Sequence, residues 1–491
     1  MHDALAALLG RLLAVPTVDL VERAFAASAC VALGVSCSKA PLPTGDPLGT
    51  ITIGVVESLT GDQGQVGGPM KTATEVAEWQ LNSLGGILGK HVAYQIQDDA
   101  TQSPQTQAIA KQFIQDGVAA VLGSTSSNQV GAVDQLFYAA RFIQISSTAT
   151  SPTLALAEPF HDRYLFLTIA TSDRMAPVLS KFAAEGSAAL LDAGSGGAGA
   201  TPCKNLQIVN AGDSFGQPFA DAVSADFQRR GGNVLKPIVV PTSQQADYSA
   251  QVAALIGATP QADCAALLMF APAAAQFMIS FRKVTATDTS RNWGAFTILA
   301  SNSEYSTAFV TGSLSNPANP SSGSAAEGVY GVYVDPTPET NQYEQFANLY
   351  AAMFQVPLDQ PVLLRSTANQ YDAAILEALA IQAAGGTSDR VALRDALYDV
   401  SRGTQHGKPV SAHAYGPAEL GDALAALRRG DPIKYNGASG PVVFDDCGNV
   451  TEDFIVWKVV GGQFQTLERI AAASVPSPPC VAGGNDGGVD Q

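Results

Sequence analysis

Between residues 50 and 152 short apolar runs alternate with amphipathic stretches and with turns rich in Gly, Ser and Thr. Ile51–Val56, Val92–Ile96, Val118–Gly123 and Phe142–Ser146 are brief and apolar, as strands buried in a parallel sheet are. Between the first two, Ala73, Val76, Ala77, Leu81 and Leu84 recur on one helical face, and Gly85-Gly86 stops that helix. The pattern predicts strand, Gly-rich turn, helix, strand, helix, strand, Ser-rich turn, helix, strand and a second Ser/Thr-rich turn. The hydroxyl-rich turns fall at the carboxyl ends of the strands, the edge where open parallel sheets bind ligands.

A second series of the same kind begins near Thr171. Its predicted helices carry Met175, Val178, Leu179 and Phe182, then Phe219, Val223 and Phe227, then Tyr248, Val252, Leu255 and Ile256. Its predicted strands are Leu206–Asn210, Val234–Val240, Cys264–Phe270 and Ala295–Leu299. Residues 192–202 (DAGSGGAGATP) are expected to form a surface insertion. No Gly-Lys-Ser/Thr follows them, which excludes a phosphate loop. From Gly328 the pattern shifts, and a long helix over Asn369–Ala384 is expected to return to the first unit.

The first unit resembles the first lobe of the type I periplasmic binding proteins, in the branched-chain amino-acid (Leu/Ile/Val) family. GVYGVYVDPTPET after Gly328 is similar to that family's second crossover, and YNGASGPVVFDDCGNVTEDFIVWKVVGGQFQTL to its terminal segment, as far as about Leu467. The resemblance implies an α/β fold of two doubly wound Rossmann-like lobes joined by a three-strand hinge. Lobe I would comprise 50–168 and 335–440, lobe II 169–334 and 441–467, with a mobile tail over 468–491. It implies a solute-binding protein of an ABC-type importer that closes on a small amino-acid-like, carboxylate or amide ligand and docks on a membrane permease. No enzyme chemistry and no cofactor are implied. The same fold also serves ligand-sensing receptors and regulators. A cell-wall hydrolase or lipoprotein factor is the third class, but no nucleophile elbow, triad spacing or metal motif stands in the chain.

Carried over position by position, the resemblance assigns a carboxylate-binding role to Ser127 in GSTSSNQ, ahead of a helix whose N-terminus attracts anions. It assigns Ala149 and Thr150 in STATSP to a ligand's polar groups. The remaining positions depart from the amino-acid binders. Val66 stands where they have a Tyr, Phe215 keeps a ring without its hydroxyl, and Phe270-Ala271-Pro272 replaces Tyr-Tyr-Pro. The acid that pairs with an ammonium should fall near Ser301-Asn302, where Glu304 is the acidic residue at hand. A buried ammonium without a carboxylate is costly. Either Glu304 swings in, or the ligand is less polar than an α-amino acid.

The 491 residues exceed one hydrophobic core, and 46% apolar with 14% charged residues is a globular composition. A net charge of −17 without basic runs excludes a phosphate-backbone partner such as nucleic acid. Residues 1–37 are expected to be a signal segment: Arg23 precedes the apolar Phe25–Val35, which is too short to span a bilayer. Ser36-Cys37 resembles a lipoprotein cleavage site with Cys37 lipidated and 38–49 as a tether, although Gly34 departs from that pattern. Cleavage before Cys30 is the alternative. Asp3, Asp19 and Glu22 are unusual for such a segment, which raises a later start near Val18 or Val21. Export permits disulfides. Cys203 sits just before the first strand of the second unit and Cys264 opens the third; these strands are neighbours in a flavodoxin-like order, so the two cysteines are expected to pair. That leaves Cys447 and Cys480 to pair; four free thiols is the alternative. No Cys or His spacing fits a metal. Asp98-Asp99 is expected to be a solvated strand end, and Gly61, Gly64 and Gly67 to allow close backbone approach.

Overall fold

The computed structural model describes residues 49–159, 162–186, 200–314, 323–356 and 366–476. The signal segment with Cys30 and Cys37, the tether, most of the 192–202 insertion, Cys480 and the end of the tail lie outside the described residues.

Two sheets carry the fold. The first unit runs β1 (Thr50–Glu57), α1 (Gly64–Ser83), β2 (His91–Asp98), α2 (Ser103–Asp116), β3 (Val121–Gly123), α3 (Ser127–Ala140), β4 (Gln144–Ser146) and β5 (Leu165–Leu167). Its five strands are parallel in the order β2-β1-β3-β4-β5. β5 was not among the expected strands; three residues, LFL, are too short for a periodic signal. At the end of α1, Gly85 and Gly86 take left-handed φ values of 89° and 69°, and the Gly86 N–H donates to the Leu81 carbonyl at 2.9 Å. This is how glycine closes a helix.

The second unit runs α4 (Ser172–Glu185), β6 (Asn205–Ala211), α5 (Gly216–Arg229), β7 (Asn233–Val234), β8 (Ile238–Val240), α6 (Ser249–Ile256), β9 (Cys264–Leu268), α7 (Ala271–Thr285), β10 (Thr297–Ala300), α8 (Thr307–Gly312) and β11 (Tyr330–Val334). The expected strand over Val234–Val240 is interrupted by Lys236-Pro237, since proline offers no ladder donor. The chain then builds on the first unit: α9 (Asn341–Phe354), α10 (Thr367–Ala384) and α11 (Arg390–Arg402), the small pairs β12 (Thr404–Gln405) with β13 (Lys408–Pro409) and β14 (His413–Tyr415) with β15 (Ile433–Tyr435), and α12 (Leu420–Arg428) between them. β16 (Phe454–Val460) and β17 (Gln463–Ile470) finish the second sheet, antiparallel, in the order β17-β16-β11-β10-β9-β6-β7 with β8 beside β6. The fold is thus α/β, with two doubly wound lobes.

Each sheet has its own large core. One gathers buried side chains from Ile169 to Val334 and from Phe454 to Val459. The other gathers Ile51 to Phe166 and Tyr343 to Val450. Val442, Phe444 and Val450 belong to the latter core, so the chain returns to the second sheet after Val450 rather than at 441. The closing hairpin continues to Ile470, past Leu467. α10 is buried from Thr367 through Gln382, enclosed on all sides in the first core, and its polar residues need partners there. Asp372 accepts from the Tyr435 hydroxyl (2.6 Å), the Ala438 and Ser439 N–H groups (2.8 and 2.7 Å) and Ser439 Oγ (2.6 Å). Asn369 donates to the Thr168 carbonyl and to Glu452, each at 2.6 Å, and Glu452 also accepts the Ala170 N–H at 2.6 Å. These bonds tie two of the segments that cross between the sheets.

Leu206 pairs with Cys264 across β6 and β9, and Cys203 and Cys264 form a disulfide. Cys447 is also disulfide-bonded.

Candidate interlobe binding site

The β3–α3 turn and the turn after β4 both carry runs of hydroxyls. Ser124, Thr125, Ser126 and Ser127 are buried, as are Ser146, Ser147, Thr150 and Ser151. They hold each other in place. Thr148 Oγ1 donates to the Thr125 carbonyl (2.7 Å), Ser146 Oγ to the Ser124 carbonyl (2.8 Å), and the Ser151 N–H to Ser127 Oγ (3.1 Å). Thr125 Oγ1 accepts the Ser58 N–H (2.9 Å) and donates to Glu57 (2.6 Å). Gln370 of α10 donates to the other Glu57 oxygen at 3.0 Å. Burial pushes the Glu57 carboxyl up to about 8, against the lowering effect of these bonds. Ser126 stands at the N-cap of α3, and no side chain caps the helix there. Its first N–H groups therefore retain the attraction for an anion expected of a helix N-terminus.

The opposite wall comes from the carboxyl ends of the second sheet. Phe215 and Phe270 precede α5 and α7, and their rings stack at 5.5 Å between centroids with 14° between planes. Asn302 and Ser303 follow β10. Both walls face one narrow cleft. Gln63, Val66, Thr125, Ser126, Ser127, Thr148 and Thr150 line it from the first lobe, and Phe215, Phe270, Asn302 and Ser303 from the second. None of these lining side chains is charged.

Hydrogen bonds cross the cleft. Asn302 Nδ2 reaches Thr150 Oγ1 at 3.5 Å, and Thr307 Oγ1 donates to Gln65 at 2.9 Å. Asn128 donates to Asp213 at 2.9 Å and accepts the Ser214 N–H at 3.0 Å. The lobes are closed on each other.

Of the residues singled out from sequence, Val66, Ser127, Thr150, Phe215, Phe270 and Asn302 meet in this cleft. Ala149, Ala271 and Glu304 do not line it. The Ala149 methyl packs among Val130, Leu154, Leu165 and Leu167, and its N–H donates to Ser146 Oγ at 3.2 Å. Ala271 begins α7 and is buried in the second core. Glu304 is fully buried and accepts from Ser301 Oγ; burial pushes its carboxyl up to about 8. Sequence reading missed Gln63, Thr125, Ser126, Thr148, Ser303 and the Asn128–Asp213 bridge. Asn128 follows Ser127 directly, and Asp213 sits in the GDSFGQ motif that supplied Phe215, so chain adjacency was the available signal.

Asp98 is half-buried, but Asp99 is not solvated. It is completely buried and accepts from Ser58 Oγ (2.6 Å), Thr106 Oγ1 (3.2 Å) and Ser124 Oγ. It anchors two of the loops behind the cleft. A Cβ on Gly67 would lie 2.1 Å from the Ser58 carbonyl, so that glycine lets α1 press on the same loop.

The sequence pattern of the periplasmic binding proteins matches residues 50–453. The chain belongs to that family. A Leu/Ile/Val-binding protein of Rhizobium johnstonii is 27% identical over 219 residues, 44% of this chain and 53% of that protein. A leucine-, isoleucine-, valine-, threonine- and alanine-binding protein of Pseudomonas aeruginosa is 29% identical over 136 residues, 28% of this chain and 36% of that protein. The aligned stretches thus span about half or less of these relatives. Among solved structures, the periplasmic binding protein fold here is similar to a leucine-binding protein from Thermotoga maritima, with a TM-score of 0.65, 17% identity, and coverage of 87% of this chain and 100% of that one. It is similar too to a solute-binding protein of an ABC transporter from Rhodopseudomonas palustris in complex with p-hydroxybenzoic acid, with a TM-score of 0.63, 17% identity, and coverage of 87% and 98%.

Proposed function

We propose that this chain is an extracytoplasmic solute-binding protein of an ABC-type importer, capturing a small carboxylate or amide ligand between its lobes and presenting the closed form to a membrane permease. The observation that carries the reading is the cleft itself. An uncapped helix N-terminus with Ser126 and Ser127 faces a stacked Phe215–Phe270 pair across the cleft between the lobes. The first feature suits a carboxylate and the second an apolar body. The relatives named for Leu/Ile/Val binding and the neighbour solved with p-hydroxybenzoic acid are consistent with this division. Export with a lipid anchor at Cys37 belongs to the same reading. Ligand, permease and ATPase interact without covalent chemistry on this chain.

Thermal unfolding of the protein against amino acids, amides and small carboxylates tests the proposal. A ligand at 100 times its dissociation constant adds about 2.7 kcal/mol and raises the melting temperature. A shift with at least one small solute is expected; silence across the panel sinks solute capture.

A further inference from the structure

We infer that the ligand of this cleft is a small monocarboxylate whose second polar group is a neutral O–H or N–H donor, not an ammonium, and that Asn302 Oδ1 is the acceptor that selects it. This rests on the reading of the cleft as a solute site and names the ligand class for it.

Asn302 is 3% exposed and lines the cleft. Its Nδ2 is directed to Thr150 Oγ1, and its Oδ1 has no hydrogen-bond partner among the described residues. A buried acceptor left unpaired costs about 1–3 kcal/mol. A donor on the ligand removes that cost, and the site then rejects ligands that lack one.

The donor is neutral because, among the described residues, no carboxylate lines the cleft. Glu57 lies beneath Thr125 and is held by Thr125 and Gln370. Asp213 accepts the Phe215 and Gly216 N–H groups at 3.1 and 2.8 Å and grips Asn128. Glu304 is buried away from the lining, with one oxygen accepting Ser301 Oγ, and burial pushes its carboxyl up to about 8. An ammonium entering this cleft would shed its water and find amide, hydroxyl and ring in place of an opposite charge. A hydroxyl or amide N–H loses far less and fits the open acceptor of Asn302. Val66, Phe215 and Phe270 cover the ligand's apolar body.

Calorimetric titration of the full chain with two isosteric pairs tests the inference. The pairs are 2-hydroxy-4-methylpentanoate against leucine, and 4-hydroxybenzoate against 4-methylbenzoate. In the wild type the hydroxyl-bearing member of a binding pair is expected to bind at least tenfold tighter. Asn302→Leu, close in shape and without the acceptor, is expected to abolish the preference within the benzoate pair. Asn302→Asp is expected to move the first pair's ratio tenfold or more toward leucine. Leucine binding the wild type as tightly as its hydroxy analogue overturns the inference and leaves solute capture standing. So does equal binding of the two benzoates. If none of the four binds while other solutes raise the melting temperature, the ligand class is wrong and capture survives. If no solute acts at all, both fall.

Discussion

Ser127 Oγ stands between a backbone donor and the cleft. It accepts the Ser151 N–H at 3.1 Å and it lines the cleft. Removing it therefore acts twice. Ser127→Ala strands a buried N–H, which costs about 1–3 kcal/mol of stability, without emptying a core position. It also deletes a polar contact to the proposed ligand. The expected outcome is a folded protein with a lower denaturant midpoint and about tenfold weaker binding, the equivalent of 1.4 kcal/mol. Far-ultraviolet circular dichroism, denaturant titration and calorimetry together check this. Unchanged affinity for a ligand of the wild type removes Ser127 from the site. Glu304 shows what single residues hide. Its place near Asn302 in sequence brought it into consideration, but burial depends on which way a turn faces. Here Ser301 and Glu304 bond to each other, while Asn302 and Ser303 line the opening.

At the scale of elements, the disulfide between Cys203 and Cys264 clamps the amino-terminal ends of β6 and β9, while the cleft lies at the carboxyl ends. The bond closes a loop with a sequence separation of 61. In the chain-entropy account such a loop stabilises the folded state by about 4 kcal/mol. The Cys203→Ser/Cys264→Ser double variant is expected to lose stability up to roughly that amount, read as a lower urea midpoint. Ligand affinity is expected to stay within about twofold, because distant sites behave independently. A loss of affinity without a loss of stability would contradict this separation of roles. The pairing was legible because the two cysteines stand at the amino-terminal ends of strands that the alternating pattern placed side by side. β5 and the β7/β8 break were not, since two- and three-residue strands carry no period and are made by their neighbours.

The whole molecule couples burial to pH. Burial raises Glu57 and Glu304 from an ordinary 4.5 to about 8 each. Between those values the folded chain keeps protons that the unfolded chain releases. Their contribution to stability is complete below about pH 4.5 and is lost as pH rises through about 8. The urea midpoint is therefore expected to be higher at pH 5.5 than at pH 8.5. Glu304→Gln, which keeps an acceptor for Ser301 Oγ, is expected to make that dependence shallower. A midpoint that climbs with pH over this range, or an unaltered slope in the variant, contradicts the assignment.

The alternation of apolar runs with helical faces determined by itself that two largely parallel sheets form, and that the Ser/Thr turns fall at their carboxyl edges. Those are consequences of local period and chain direction, which a sequence carries explicitly. The chain order of Cys203 and Cys264 carried their pairing in the same way. Tertiary structure alone decided which hydroxyls and rings meet across the lobes. It joined Asn128 to Asp213 and Asn302 to Thr150, more than 80 positions apart in each case. It buried Asp99 as the anchor of two loops, enclosed α10 on every side, and kept Val442 to Val450 in the first core. The physical reason is that burial, and the fate of each polar atom within it, depend on what the opposing surface offers. That surface is assembled from segments far apart in the chain.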